Sequence, residues 1–350
     1  MSRHHELLRL ICRELRVVSP NAFEHASLGH WPLDRQSVGI SMLDEKYAIG
    51  SQLWPVVYHL YHRGETRDAQ RHTAVTDLTP IMLREHAEFG QELRRCNHGT
   101  EFRDPGWLVA AIESDCLRVT KGGVTLVATR DELLPGKEGV QIGTEIVVRF
   151  PGHLPYTSPG YYLAIGEEGI PRVKRTPVTR IYFHVSPEGA LRLMSGLTEL
   201  LPGSCPTYAF KVLNHPDAFT RRDAAVLCLP RDHYFTFCDR LRELCFALAP
   251  EFRATVPGFS KKLMPGVGLA EELEAPLNEK VSFGQHRSFL VAGGIARAFL
   301  EERNTEEGRY AAIVQEFRES DLDALRPYLN SGSIDSYGVF LQSSNNCADA

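Results

Sequence analysis

No stretch of the 350-residue chain approaches the roughly 20 consecutive apolar residues that a membrane-spanning helix requires. A membrane role is therefore not expected, and the start MSRHHELLRLICREL, an amphipathic pattern carrying acids, lacks the form of a signal peptide. Positive charge is not in excess either. With 39 Lys and Arg against 44 Asp and Glu the formal charge is −5, so general nucleic-acid binding is not expected and any cationic site must be concentrated. The eight cysteines form no CxxC pair; the nearest two, Cys238 and Cys245, fall in a helical pattern and read as core thiols, which fits a reducing cytoplasm. HExxH is missing, so no metal is called for. A GxxxxGK[ST] loop, an HRD-like segment and DFG are missing too, which removes the usual parts of a kinase. There is no internal repeat and no low-complexity tract.

What is present is a composition that can build a substantial core, 43% hydrophobic and 24% charged. The patterning predicts an α+β chain in three parts. Residues 1–104 read as mainly helical, from the apolar spacing of HHELLRLICREL, SQLWPVVYHLYHRGE and TPIMLREHAEFGQELRRC, and offer no compact chemistry. Residues 105–152 read as a small antiparallel meander, because GWLVAAI, CLRVT, GVTLVAT and TEIVVRF are short β-branched runs broken by turns. Residues 153–350 alternate strand-like VTRIYFHV, TYAFKVL and AAVLCL with helices, the last two beginning near Gln285 and Glu306.

Chemistry concentrates in that last part. Alternation in TRIYFHV puts Ile181, Phe183 and Val185 on one face and Arg180, Tyr182 and His184 on the other. In TYAFKVL, Lys211 shares its face with Thr207, Ala209 and Leu213, and a lysine in such partly apolar company can have a lowered pKa and act as a base. Arg221 and Arg222 form a pair suited to phosphate, although Asp223 could neutralise one of them. Lys261 and Lys262 precede a Gly-rich bend; Glu271 and Glu272 suit orienting cations better than acting as a catalytic pair. In VSFGQHRSFLVAGGIARAFLEE, Phe289, Ala292, Ile295, Ala296, Phe299 and Leu300 form a core stripe, and Ser282, Gly284, His286 and Arg287 stand at a helix start, the end that favours anions.

Taken in order, DPGWLVAAIESDCLRVTKGGVTLVATRDEL, GTEIVVRFPGHLPYTSPGYYLAIG, TRIYFHV, YAFKVLN, RRDAAVLCLP, PGVGLAEE and SFGQHRSFLVAGG resemble the HopA-type bacterial effector family, from about Leu53 to Ala298. Members of that family also occur in biosynthetic clusters for lanthipeptides and thioamide-containing peptides. The resemblance implies a cytoplasmic lyase that eliminates phosphate from phosphoserine or phosphothreonine in a ribosomally made precursor peptide, leaving dehydroalanine or dehydrobutyrine. A separate kinase would supply the phosphorylated peptide. Without a cofactor, β-elimination needs a base, help for the leaving oxygen and an enolate stabiliser. Lys211 is the expected base with Lys262 in reserve, and His286 is the expected acid. Arg180, Arg221, Arg222 and Arg287 would hold phosphate; Tyr182 or Tyr156 would meet the substrate carbonyl. The alternative is a non-catalytic phosphopeptide-binding or type III effector protein, for which arginine clusters alone suffice.

Overall fold

The computed structural model describes residues 2–33, 45–65, 86–113, 115–133, 140–154, 158, 160–172, 176–273 and 281–341. Helix α1 (Arg3–Glu14) starts where the Ser2 hydroxyl accepts from His5 N at 3.2 Å, and it buries Leu8, Ile11 and Cys12 along one stripe. It runs directly into a three-stranded antiparallel sheet, β1 (Leu15–Ser19), β2 (Ala22–His25) and β3 (Gly29–Pro32). That sheet adds to the mainly helical expectation for residues 1–104. LRVV alternates buried and exposed, a period of two that follows the helical pattern without a break.

Helix α2 (Glu45–Val56) contains Pro55, which cannot donate to the helix ladder, and the chain continues as a π-helical turn, Val57–His62. Helix α3 (Ala87–Cys96) leads into the predicted meander: β4 (Glu101–Ile112), β5 (Cys116–Lys121), β6 (Val124–Thr129) and β7 (Glu145–Pro151), in the order β6-β5-β4-β7. Trp107, Val109, Leu117, Val119, Ala128, Ile146 and Val148 give this sheet a core of its own.

The main sheet has six antiparallel strands. They are β8 (Tyr161–Ile165), β9 (Val178–Phe183), β10 (Ala209–Leu213), β11 (Ala225–Pro230), β12 (Lys261–Met264) and β13 (Val267–Glu271), in the order β12-β13-β9-β11-β10-β8. Helices α4 (Pro187–Leu200) and α5 (Arg231–Ala247) pack together, and α5 lies on β9 and β11. Helices α6 (Phe283–Leu300) and α7 (Glu306–Glu319) close the fold. Ser282 caps α6 in a reciprocal box: its hydroxyl accepts from Gln285 N, and the Gln285 side chain accepts from Ser282 N. Gly294 lets α7 come close, since a Cβ there would lie 2.5 Å from Ile313 Cα. One core joins Leu8, Leu53 and Phe89 to Ile181, Phe210, Ile295 and Phe317, so the N-terminal helices share it with the main sheet.

Candidate functional site

Antiparallel register sets the site. Lys211 lies opposite Val226, Val226 opposite Tyr182, and Tyr182 opposite Gly268, so Lys211 and Tyr182 share a face two strands apart, about 10 Å in backbone terms. Arg180 is on the same face, opposite Cys228. The Lys211 ammonium sits 4.9 Å from the centre of the Tyr161 ring on β8 and has no hydrogen bond or ion pair among the described residues. Burial, and then the nearby Arg180 charge, pushes its pKa below the ordinary lysine value.

Flanking cations are partly paired. Arg180 is bound to Glu272 through Nε and Nη2, the cation-orienting role expected of that glutamate. Arg221 holds Asp223 through Nε at 2.9 Å and Nη2 at 2.8 Å, and its Nη2 also donates to the Tyr161 hydroxyl at 2.5 Å. Asp223 thus neutralises one member of the arginine pair. Burial opposes its charge, but Arg221 and Arg63 outweigh that and hold the carboxyl well below the usual range. Nη1 of Arg180 and of Arg221 has no partner among the described residues.

Residues 57–65 enter this site, contrary to the expectation that the N-terminal part offers no compact chemistry. Arg63 pairs with Glu65 and approaches Asp223 at 3.9 Å; Glu65 accepts from His59 at 2.6 Å. His62 stacks between Tyr58 (5.6 Å) and Phe259 (5.5 Å) and meets the Tyr182 ring edge-on at 6.1 Å. The polar face of β9 is therefore covered at Tyr182 and His184. Tyr182 is buried under His62 and Phe283, and its hydroxyl has no partner among the described residues. The dense His and Tyr spacing of YHLYHRGE was the available signal for these residues, whereas nothing in YYLAIG singles out Tyr161.

Other expected site residues stand apart. Lys262 is exposed on edge strand β12, four strands from Lys211, or roughly 19 Å across the sheet. Arg287 is fully buried, and all three of its guanidinium nitrogens are engaged: Nε with Pro327 O at 2.7 Å, Nη2 with Leu329 O at 3.0 Å and Nη1 with His286 Nδ1 at 2.7 Å. It ties down the C-terminal segment. The α6 start is likewise closed to a close anion at Gly284, because a Cβ there would meet the His62 ring at 2.4 Å. His286 is half-buried, and burial together with Arg287 pushes its pKa down to about 4, so the free protein holds it neutral near pH 7. Arg222 donates to Tyr61 O at 2.9 Å and does not join Arg221. Tyr156 lies outside the described residues.

Among the described residues no group of three or more His, Cys, Asp or Glu could hold a metal, and no helix is long and apolar enough to cross a membrane. Residues 154–329, half of the chain, match the HopA1 effector protein family. Two solved structures are similar. The effector protein from Pseudomonas syringae pv. syringae strain 61 has 12% identity and a TM-score of 0.46, over 94% of this chain and 98% of that one. The effector protein from Pseudomonas syringae pv. tomato strain DC3000 has 14% identity and a TM-score of 0.43, over 85% and 93%. No curated protein matches.

Proposed function

The chain belongs to the HopA1 effector protein family, and from that premise we propose that it is a lyase that eliminates phosphate from phosphoserine or phosphothreonine in a peptide. The observation that carries the reading is Lys211: a lysine without hydrogen bond or ion pair among the described residues, lowered in pKa and flanked by Arg180 and Arg221. A neutral amine is a base, and the two Nη1 groups, unpartnered among the described residues, suit phosphate oxygens. The Lys211 lone pair takes the Cα proton, the Cα–Cβ double bond forms, and the Cβ–O bond breaks with its electron pair leaving on phosphate. Tyr182, whose hydroxyl has no partner among the described residues, would donate to the substrate carbonyl as negative charge builds there. His286 serves as acid only by taking up a proton as the phosphate dianion arrives, since Arg287 donates to its Nδ1.

The product would be dehydroalanine or dehydrobutyrine, the phosphorylated precursor would come from a separate kinase, and a cytoplasmic setting follows from that partnership. The test is mass spectrometry of a phosphoserine or phosphothreonine peptide incubated with the protein, with free phosphate measured in parallel. Loss of one phosphoric acid from the peptide is expected. Intact phosphopeptide that nevertheless binds would replace this reading with the second one, a non-catalytic phosphopeptide-binding effector, which the family's description as effector proteins favours.

A further inference from the structure

Strands β9, β10 and β11 each leave one side chain half-buried and bury the rest, and the three left are Arg180, Lys211 and Cys228. All three share one face. Cys228 lies directly opposite Arg180 on one side and Ala209 on the other, and antiparallel pairing puts such neighbours about 5 Å apart at Cβ. Lys211, two residues beyond Ala209, is then a diagonal neighbour at about 7–8 Å. The thiol stands between the base and an arginine that suits phosphate.

A polar side chain at this point would extend the phosphate site, but Cys228 has no hydrogen bond among the described residues, and burial pushes its thiol above the ordinary pKa. It presents a neutral, weakly polar surface. Its other neighbours are apolar. Leu163, Ile165 and Ala209 of the main sheet pack with Phe102 of β4, while Cys228, Leu154 and Phe150 form the partly buried margin of that cluster, and the Phe102 and Phe150 rings stack at 5.2 Å. At Cys228 the cationic part of the site therefore meets an apolar ledge.

In the elimination, Lys211 takes the proton from Cα while the arginines hold the oxygens of the phosphate on Cβ, so the Cα–Cβ bond spans the gap over Cys228. What meets the thiol is an uncharged substituent of Cβ, next to the phosphate. Phosphothreonine carries a methyl group there, where phosphoserine has only hydrogen. We propose that Cys228 and the apolar margin beside it receive the Cβ methyl of phosphothreonine, which makes Cys228 the side chain that favours phosphothreonine over phosphoserine. The placement of the peptide rests on the lyase reading.

The test uses two peptides identical but for phosphothreonine or phosphoserine at one position, with the full chain as wild type, C228S and C228V. Binding is read by fluorescence anisotropy and elimination by mass spectrometry with free phosphate. Wild type should bind the phosphothreonine peptide about fourfold more tightly, as burial of one methyl group implies. In C228S, nearly the same size but more polar, the ratio should fall toward one. In C228V, whose added carbon competes for the space of the substrate methyl, it should fall below one, and binding of the phosphoserine peptide by the same variant shows that the site is folded. Equal binding of the two peptides by wild type, or a ratio that neither variant moves, overturns the proposal, and the lyase reading stands if both peptides still lose phosphate. A preference that moves with Cys228 while neither peptide is eliminated removes the lyase reading and leaves the methyl contact standing in a phosphopeptide-binding protein.

Discussion

Around Lys211 and around Arg287 the chain assembles the same materials, a cation, an aromatic ring and a neighbouring ionisable group, with different results. Lys211 faces Tyr161 with no hydrogen bond or ion pair among the described residues. Arg287 lies over the Phe283 ring at 5.1 Å, but backbone carbonyls and His286 already engage its nitrogens. Residue type alone cannot separate a group held ready for a ligand from one that holds the fold together. The number of partners already satisfied does so, because a hydrogen-bonded buried charge has little to gain from an incoming anion.

The largest effect expected from this contrast is at Lys211. Lys211→Ala should lower elimination by about 10²- to 10⁴-fold, the usual contribution of a general base, while Lys262→Ala leaves the rate near wild type. Mass spectrometry of the phosphopeptide after timed incubation reads both. The reverse pattern would move the base to the edge strand.

Next in size is Arg287→Ala. If the arginine holds the C-terminal segment, the variant loses stability, by about 3 kcal/mol or more, since buried carbonyls of Pro327 and Leu329 lose a charged donor. Urea unfolding measures this. A variant with unchanged stability but weakened phosphopeptide binding would return Arg287 to the phosphate site.

How much of this was legible follows from the same contrast. Strands β9, β10 and β11 of the main sheet, the meander and the α6 start follow from local periodicity and from Ser282 and Gln285, all short-range signals. Lys211, Tyr182 and Arg180 were findable because strand alternation fixes faces, and Arg221 because consecutive arginines suit phosphate. Arg287 was misplaced as an anion ligand because two of its partners, Pro327 and Leu329, are about 40 residues away and no local pattern announces them. The π-helical turn was missed as a site element for a related reason: Arg63 becomes informative only once Asp223 stands beside it.

Acid sensitivity draws the contrast less strongly. His4 and His286 have pKa values pushed down to about 4, and His62 to about 3, each mainly by burial. In the unfolded chain they take up protons near pH 6.5, before the folded chain does, so stability is full above that pH and is lost as pH falls from about 6.5 toward 4. Each histidine contributes a slope of at most about 1.4 kcal/mol per pH unit. Urea midpoints across that range check the sign, and His62→Phe should flatten the dependence. If inorganic phosphate flattens it through His286 as well, the helix start belongs to the phosphate site after all.

The finest distinction concerns what Tyr161 does for Lys211. Its hydroxyl accepts from Arg221, and its ring lies under the ammonium, so the two functions can be separated by Tyr161→Phe and Tyr161→Leu. Removing the hydroxyl costs Arg221 one acceptor, worth about 1 kcal/mol of stability, and leaves the ring in place. Removing the ring takes away a cation–π attraction of about 0.5 to 1 kcal/mol that favours the charged amine. Loss of that attraction lowers the lysine pKa, so the rising limb of the rate against pH should move to lower pH by about half a unit in Tyr161→Leu and stay put in Tyr161→Phe. A shift upward in the leucine variant would mean that the ring acts chiefly by excluding water from the amine, and the lowered pKa of Lys211 would then depend on Tyr161 itself.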